Sequence, residues 1–305
     1  MPKFSIVTPV FNNEKTIKRT LKSIMDQTHL DWHCILIDDS STDNSVEEII
    51  NFINADKRFS LKKRSDYSDI KGANCCRNIG LKFCKSNWVI FVDADDTLAP
   101  NCLYKRSKDI VRFPYKDIYM FKTAVVNEFG EILWDFVCPT QEVKKIIYLF
   151  YAHKIPWHTM SLVWNKKFLS NIGGWNLDYE RLQDVELSLR ALLNKPKLFF
   201  SDQDYDSYYW QAQINTHKKY LARFSFCRII KDYYTTLMNA YPNDEIFTRK
   251  IRTETQQILI TLVKSYILYE KKDINWESLY LSLLKTLHIS LSEIKSTEKA
   301  FNDKL

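Results

Sequence analysis

The chain has 305 residues, 45% hydrophobic and 14% aromatic, enough apolar side chain for one large domain with or without an appendage and too much for wholesale disorder. Its formal charge is +7, and the segment from Thr216 onward, with 15 Lys/Arg against 10 Asp/Glu, supplies +5 of it; no nucleic-acid module signature accompanies that charge, so no nucleic-acid partner is expected. The seven cysteines, Cys34, Cys75, Cys76, Cys84, Cys102, Cys138 and Cys227, are odd in number, contain no C-x-x-C and lie largely in apolar runs, which argues against a disulfide framework or a zinc site.

Strand-like residues begin at Phe4, so no leader is expected, and no uncharged apolar stretch reaches the ~18 residues of a membrane span. Phe4–Val10 reads as a first strand, followed by a helix over Lys15–Gln27 with Ile17, Leu21 and Ile24 at helical spacing. His33–Asp39 is a second strand and Asn44–Asn54 a second helix. Phe59–Lys63 reads as a short strand, Asn74–Lys85 as a helix and Trp88–Asp93 as the central strand. Ile118–Val126 and Ile132–Phe136 flank Glu128-Phe129-Gly130-Glu131, a hairpin turn. The alternation predicts an α/β fold with a mainly parallel central sheet flanked by helices. The strand pattern runs out near residue 215, and a helical, basic extension follows over 216–305.

In such a sheet, ligands bind beyond the carboxyl ends of the strands. Three predicted strands end in polar residues there: Thr8 to Asn13, Asp38 to Asp43, and Asp93 to Asp96. The last is the sharpest signal. An apolar run, Trp88 to Val92, stops in three carboxylates within four residues. Extended backbone would send Asp93 and Asp95 to one side, where their repulsion calls for a cation. Oxygen ligands suit Mg²⁺ or Mn²⁺, ions that complete their shells with water and substrate phosphates. A solvated turn capping the helix after Asn101 would explain one carboxylate but not three.

Together these segments resemble the family 2 glycosyltransferases, inverting enzymes of GT-A fold, from about Lys3 to about residue 217. Phe4-Ser5-Ile6-Val7-Thr8-Pro9-Val10-Phe11-Asn12-Asn13-Glu14 is similar to the family's first strand and nucleotide-binding loop, which implies that Thr8, Pro9, Val10, Phe11, Asn12 and Glu14 meet the nucleotide. Ile37-Asp38-Asp39-Ser40 resembles the motif whose aspartate accepts a hydrogen bond from uracil; Asp39 is the first candidate and Asp38 the second. Gly72-Ala73-Asn74-Cys75-Cys76-Arg77-Asn78-Ile79-Gly80 resembles a segment whose arginine faces the nucleotide. Asp93-Ala94-Asp95 occupies the metal-binding Asp-x-Asp position. Asp95 and Asp93 are therefore the expected ligands, and Ala94 lies beside the donor.

Further on, Ile172-Gly173-Gly174-Trp175-Asn176 and Leu182-Gln183-Asp184-Val185-Glu186-Leu187 resemble the family's Gly-Gly-aromatic and Glu-Asp-x-x-Leu segments. The resemblance implies that Asp184 is the general base. Gln183 replaces the usual Glu, and Asp184 would alternatively cap a helix over Val185–Asn194. Trp157, His158 and Trp175 are the expected acceptor-pocket residues, since aromatic faces suit sugar rings, and His217 lies in a segment that forms a mobile flap in relatives, where it is expected to touch metal or phosphate.

The resemblance implies a nucleotide-sugar donor, UDP before GDP or dTDP, carrying a hexose or N-acetylhexosamine. It also implies Mn²⁺ or Mg²⁺ as cofactor, a saccharide or lipid-linked acceptor, and a role in bacterial surface glycan synthesis in the cytoplasm. A metal-dependent nucleotidyltransferase and a non-catalytic sugar-nucleotide-binding protein are the alternatives. The former would show a Gly-rich loop after the first strand, and there is no Gly before Gly72. Lys218, Lys219, Arg223, Arg228 and Lys231, interleaved with Phe224, Phe226, Ile229 and Ile230, form a basic amphipathic pattern suited to the inner face of the plasma membrane.

Overall fold

The computed structural model describes residues 3–211 and 216–269, with side chains for 3–211 and 225–259. The chain divides into two compact units: residues 1–146, 155–179 and 183–213 form the first, and 147–154, 180–182 and 214–305 the second.

The first unit opens with β1 (Phe4–Val10), α1 (Ile17–Met25), β2 (Trp32–Asp38), α2 (Ser45–Ala55), β3 (Phe59–Lys63), α3 (Ala73–Phe83) and β4 (Trp88–Phe91). Helix α1 forms because Ile17, Leu21 and Ile24 recur on one face, and all three are fully buried. Next come β5 (Thr97–Leu98), α4 (Cys102–Arg112), β6 (Ile118–Met120), β7 (Thr123–Val126) and β8 (Ile132–Phe136). The chain continues through α5 (Val143–Tyr151), β9 (Leu162–Asn165), α6 (Lys166–Asn171), α7 (Gln183–Leu193), β10 (Leu198–Phe200) and β11 (Ser207–Trp210).

Seven strands form the main sheet in the order β10-β6-β9-β4-β1-β2-β3. All its pairings are parallel except those of β9, which runs antiparallel to both β4 and β6. Central β4 is buried through Val89, Ile90 and Phe91, as its unbroken apolar run requires for a strand covered on both faces. Helix α3 lies so close to β1 that a Cβ on Gly80 would sit 2.3 Å from Val7 Cγ1.

The expected single strand Ile118–Val126 is broken. Phe121 and Lys122 turn the chain, leaving β6 in the main sheet and carrying β7 into a four-stranded sheet of order β5-β11-β7-β8. One apolar run thus serves two sheets, which periodicity alone does not reveal. The expected hairpin is present: β7 pairs antiparallel with β8, and Gly130 takes φ +82° in the turn.

The two sheets are tied by a fully buried ion pair that no motif announces. Arg106 on α4 donates from Nε and Nη2 to the two carboxylate oxygens of Asp206, at 2.8 and 2.6 Å, and from Nη1 to the Met160 carbonyl. Arg106 is 0% and Asp206 1% exposed. Burial works against the Arg106 cation, but the Asp206 charge outweighs it and raises the guanidinium pKa.

In the second unit, α8 (Thr216–Ala240) and α9 (Glu245–Tyr269) are the long elements. Tyr148 donates to Glu254 at 2.8 Å, and the Tyr151 and Thr255 hydroxyls lie 2.7 Å apart. Phe226, Ile229 and Ile230 on α8 are buried. The described part of the amphipathic pattern therefore has its apolar residues inside protein rather than open to a membrane. Lys218, Lys219, Arg223 and His217 fall outside the described side chains.

Candidate active site

Three loops converge at the carboxyl edge of β1, β2 and β4. After β1, Asn12 takes φ +53°, its main-chain N–H meets Ser41 Oγ at 3.1 Å, and its side-chain Oδ1 accepts from Thr42 N–H at 2.8 Å. Glu14 accepts from Asn44 N–H, and Asp43 accepts from Glu14 N–H. The β1 and β2 loops are thus laced into one rim. Asp38 is buried and spends its carboxylate on the N–H groups of Ser40 and Ser41, which makes it a turn-former.

Asp39 is gripped from two sides. Arg64 Nε donates to Oδ1 at 2.5 Å and Gly72 N–H to Oδ2 at 2.7 Å. Gly72 needs its glycine for φ +112°, and the space where a Cβ would stand is open. Of the remaining first-loop candidates, Thr8 and Val10 are buried, as is Ala94 further on, while Phe11 is 57% exposed. Among these four, only Phe11 offers its side chain to a ligand; the other three can act through backbone alone.

The acidic segment departs from the expected alternation. Strand β4 ends at Phe91, and Asp93–Asp96 is a turn closed by Asp96 N–H to the Asp93 carbonyl at 3.1 Å. Turn geometry, not strand geometry, decides where the carboxylates point. Asp93, Asp96 and His158 each bring a ligand atom within 4.8 Å of one another. The trio includes the expected ligand Asp93, together with Asp96 and with His158, which was expected in the acceptor pocket; the Asp95 carboxylate is not part of it. Asp96 is 0% exposed, its Oδ1 accepts from Trp210 N–H at 3.0 Å, and its Oδ2 has no hydrogen-bond partner. An orphaned, buried carboxylate oxygen is costly unless a cation or a proton meets it.

The topology explains how His158 arrives. Because β9 runs antiparallel to β4, the chain entering it, residues 158–161, lies at the carboxyl edge of β4. His158 Nδ1 accepts from Met160 N–H at 3.4 Å, and its ring lies 4.7 Å from that of Tyr209 and 5.5 Å from that of Phe136. Burial lowers the imidazole pKa; the carboxylates of Asp93 and Asp184 oppose this, Arg77 adds to it, and the net shift is downward. The neutral ring is the form that binds metal. For Asp93, burial raises the carboxyl pKa, but the Arg77 charge, His158 and the Arg77 hydrogen bond overcome it and hold the group below its usual value. Burial, Asp95 and Asp93 push Asp96 well above the usual carboxylate range, against the Trp210 N–H bond and the Arg19 charge. Two oxygens and an imidazole nitrogen in one small space, one oxygen orphaned, fit a divalent ion.

Arg77 is a bridge. Its Nη2 donates to Asp93 at 2.5 Å and its Nη1 to the Gln183 side-chain oxygen at 2.8 Å, while the guanidinium lies 4.4 Å from the Trp175 ring centroid. It is 6% exposed, so it joins the acidic turn to the head of α7 more than it faces open solvent. Neighbouring α3 side chains fix the glycine loop: Asn78 meets both the N–H and the carbonyl of Trp175, and Asn74 donates to the carbonyls of Asn176 and Tyr179. Arg190 binds Glu186 and the carbonyls of Ile172 and Gly174.

Asp184 does not cap a helix beginning at Val185. Helix α7 starts at Gln183, and Asp184 lies in its first turn, where the unsatisfied N–H groups favour a negative charge. Behind it, Trp157, Trp164 and Trp175 enclose a cavity of about 10 Å³ with Leu187 and Ser188. Trp157 and Trp175, expected as acceptor contacts, are 4% and 3% exposed, and Trp157 Nε1 donates to Ser188 at 3.1 Å. They line the cavity beside Asp184 and present no open ring face. Arg64, Arg19, Trp210 and Tyr209 were not marked by the sequence; each contacts the site across a large sequence separation.

The family model for "Glycosyl transferase family 2" matches residues 5–169, more than half of the chain. The chain belongs to that family. A Campylobacter jejuni protein named GalNAc(5)-diNAcBac-PP-undecaprenol β-1,3-glucosyltransferase is 24% identical over 96% of the chain and 90% of its own length. Staphylococcus aureus TarP, a poly(ribitol-phosphate) β-N-acetylglucosaminyltransferase, is 39% identical over 34% of the chain and 31% of its own length. With such relatives the match covers about two fifths of the partner's length or less. A crystal structure of S. aureus TarS, residues 1–349, with UDP-GlcNAc superposes over 93% of the chain and 80% of its own, with a TM-score of 0.68 at 16% identity. The fold is therefore GT-A, as the sequence resemblance implied.

Proposed function

We propose that the chain transfers a sugar from a nucleotide-sugar donor, a UDP-sugar in the first instance, to a hydroxyl of a saccharide or lipid-linked acceptor, with inversion. One observation carries this reading: Arg77 bonds both Asp93 of the Asp93–Asp96–His158 cluster and Gln183, the residue before Asp184, so a cation-type cluster and a base-type carboxylate are tied to one guanidinium. Family membership leaves the nucleotidyltransferase alternative with no observation behind it.

Asp93, Asp96 and His158 would hold the divalent ion, Mn²⁺ or Mg²⁺. Bound there, the ion supplies positive charge against the departing nucleoside diphosphate. The β1 and β2 rim, with Asp39 locked by Arg64 and Gly72, takes the base and ribose. Asp184 accepts the proton of the acceptor hydroxyl as that oxygen bonds the anomeric carbon and the bond to the diphosphate oxygen breaks on the opposite face. A single base beside the donor suits one displacement, hence inversion. Gln183 holds Arg77 without adding a second negative charge next to Asp184.

The β-1,3-glucosyltransferase named for an undecaprenyl-diphosphate glycan and the UDP-GlcNAc complex of TarS support a UDP-sugar and a surface-glycan acceptor. No helix among the described residues is long and apolar enough to cross a membrane. Incubating the protein with UDP-, GDP- and dTDP-sugars and measuring nucleotide release tests the reading. UDP-sugar turnover is expected with Mn²⁺, abolished by EDTA and restored by added metal. Undiminished turnover in a thoroughly metal-stripped sample would remove the ion from the mechanism.

A further inference from the structure

The two tryptophans expected to meet the acceptor are buried, but the second sheet supplies another aromatic wall beside the site. Residues paired across neighbouring strands point to the same face, and residues two apart on a regular strand do so as well. Thr123 of β7 pairs with Phe136 of β8 and Ser207 of β11, and Val125 pairs with Trp134 and Tyr209. Trp134, Phe136 and Tyr209 therefore share one face. His158 lies against that face, its ring centroid 5.5 Å from Phe136 and 4.7 Å from Tyr209. Buried hydroxyls fasten the two together. Thr123 Oγ1 lies 2.7 Å from Ser161 Oγ and 2.8 Å from Ser207 Oγ, and Ser161 Oγ accepts the His158 main-chain N–H at 3.1 Å.

The row of rings runs outward to solvent. Trp134 meets Phe136 edge to face at 4.6 Å, and the two centroid steps place Trp134 within about 10 Å of His158. Trp134 is 49% exposed, although its cross-strand partner Val125 is fully buried. A bulge decides which β8 side chains join this face. The register shifts between Val125 and Val126, so Ile132 pairs with Val126 and Leu133 is left over. Val126 points away from Val125, which sends Ile132 to the opposite face from Trp134. Bulges re-aim side chains in this way beside active sites. Trp134 is thus the open ring at the outer end of a row that leads to the reacting centre.

We propose that Trp134 is the platform for a saccharide ring of the acceptor, the unit behind the one whose hydroxyl reacts, with Phe136 backing the indole. This rests on the sugar-transfer reading above. The indole offers a flat apolar surface for the C–H face of a pyranose ring, while the sugar's hydroxyls stay in water. Such a platform gives specificity for acceptor length: a disaccharide reaches it, and a lone sugar at the reacting position does not. Trp134→Ala removes the surface. Trp134→Phe keeps a smaller ring face.

Methyl and octyl glycosides of mono- and disaccharides, built from hexose and N-acetylhexosamine, test the platform as acceptors in the transfer assay. The same compounds are titrated into protein labelled with fluorotryptophan and followed by fluorine NMR, the Trp134 resonance being the one missing from Trp134→Phe. A methyl disaccharide is expected to move that resonance. Trp134→Ala should raise its KM about tenfold with little change in kcat, since the ligand covers only the exposed half of the ring. Trp134→Phe should recover most of the loss. UDP affinity should stay within about twofold in both variants, because the β1 and β2 rim is untouched. Thermal melting checks that the variants are folded, and if Trp134→Ala is not, the resonance shift in the parent carries the test. An unchanged KM in folded Trp134→Ala, or a Trp134 resonance that no disaccharide moves, would overturn the platform. A shift caused by octyl glycosides alone would also overturn it and give the ring to an apolar chain instead. A parent that releases no nucleotide from any donor would overturn the transfer reading, and the platform with it.

Discussion

Asp184→Asn should lower sugar transfer by about 10²- to 10⁴-fold, the usual effect of removing a general base, while UDP and Mn²⁺ bind as to the parent. The amide keeps the shape of the carboxylate and the first turn of α7, but it cannot take a proton. Asp184 is not among the groups that converge as ligands, and the rim that takes the nucleotide lies on the β1 and β2 loops. Binding and chemistry should therefore separate in this one variant. A transfer assay beside calorimetric titration with UDP and Mn²⁺ measures both. Near-parental transfer would end the base assignment, and loss of UDP binding in a folded sample would move Asp184 to the donor.

Arg106→Met should destabilise the protein by about 3–5 kcal/mol, the cost of leaving one member of a buried ion pair unpaired. The Asp206 carboxylate would lose both guanidinium bonds in a place where water does not reach it. Urea denaturation at neutral pH reads this as a fall in the midpoint. Arg106→Met combined with Asp206→Leu should recover much of the loss, because two apolar groups need no partner. A single variant within about 1 kcal/mol of the parent would mean that Asp206 finds another donor or carries a proton. The pair is local to the junction of the two sheets, so Mn²⁺ affinity in a folded double variant should change far less than stability.

The strands and helices of the first half were legible because their apolar residues recur with the period of each element. Ile17, Leu21 and Ile24 mark α1, and the unbroken run Val89–Phe91 marks a strand with both faces covered. What periodicity could not show is where one apolar run changes sheet. Ile118–Val126 reads continuously, yet the chain bends at Phe121 and Lys122. The acidic run was legible as a cation site through its charge density. The grouping of Asp96 and His158 with Asp93 was not, because it depends on a turn beginning two residues after β4 ends. His158 reaches the cluster only because β9 is antiparallel, a property of topology that no local pattern contains. Arg77 was found by motif, but its bond to Gln183 spans more than a hundred residues. Arg106 and Asp206 are likewise a hundred residues apart, and two ordinary charged residues at that distance give no signal in one sequence.

The account stands on a nucleoside-diphosphate site completed by a divalent ion at Asp93, Asp96 and His158. Calorimetric titration of UDP into the protein, first with Mn²⁺ and then after EDTA, tests that most directly. Saturable binding at a single site is predicted with Mn²⁺, weakened about tenfold or more by EDTA and weakened similarly by Asp96→Asn with the ion present. A folded protein that takes up no UDP in Mn²⁺, or takes it up equally well in EDTA, would contradict the account.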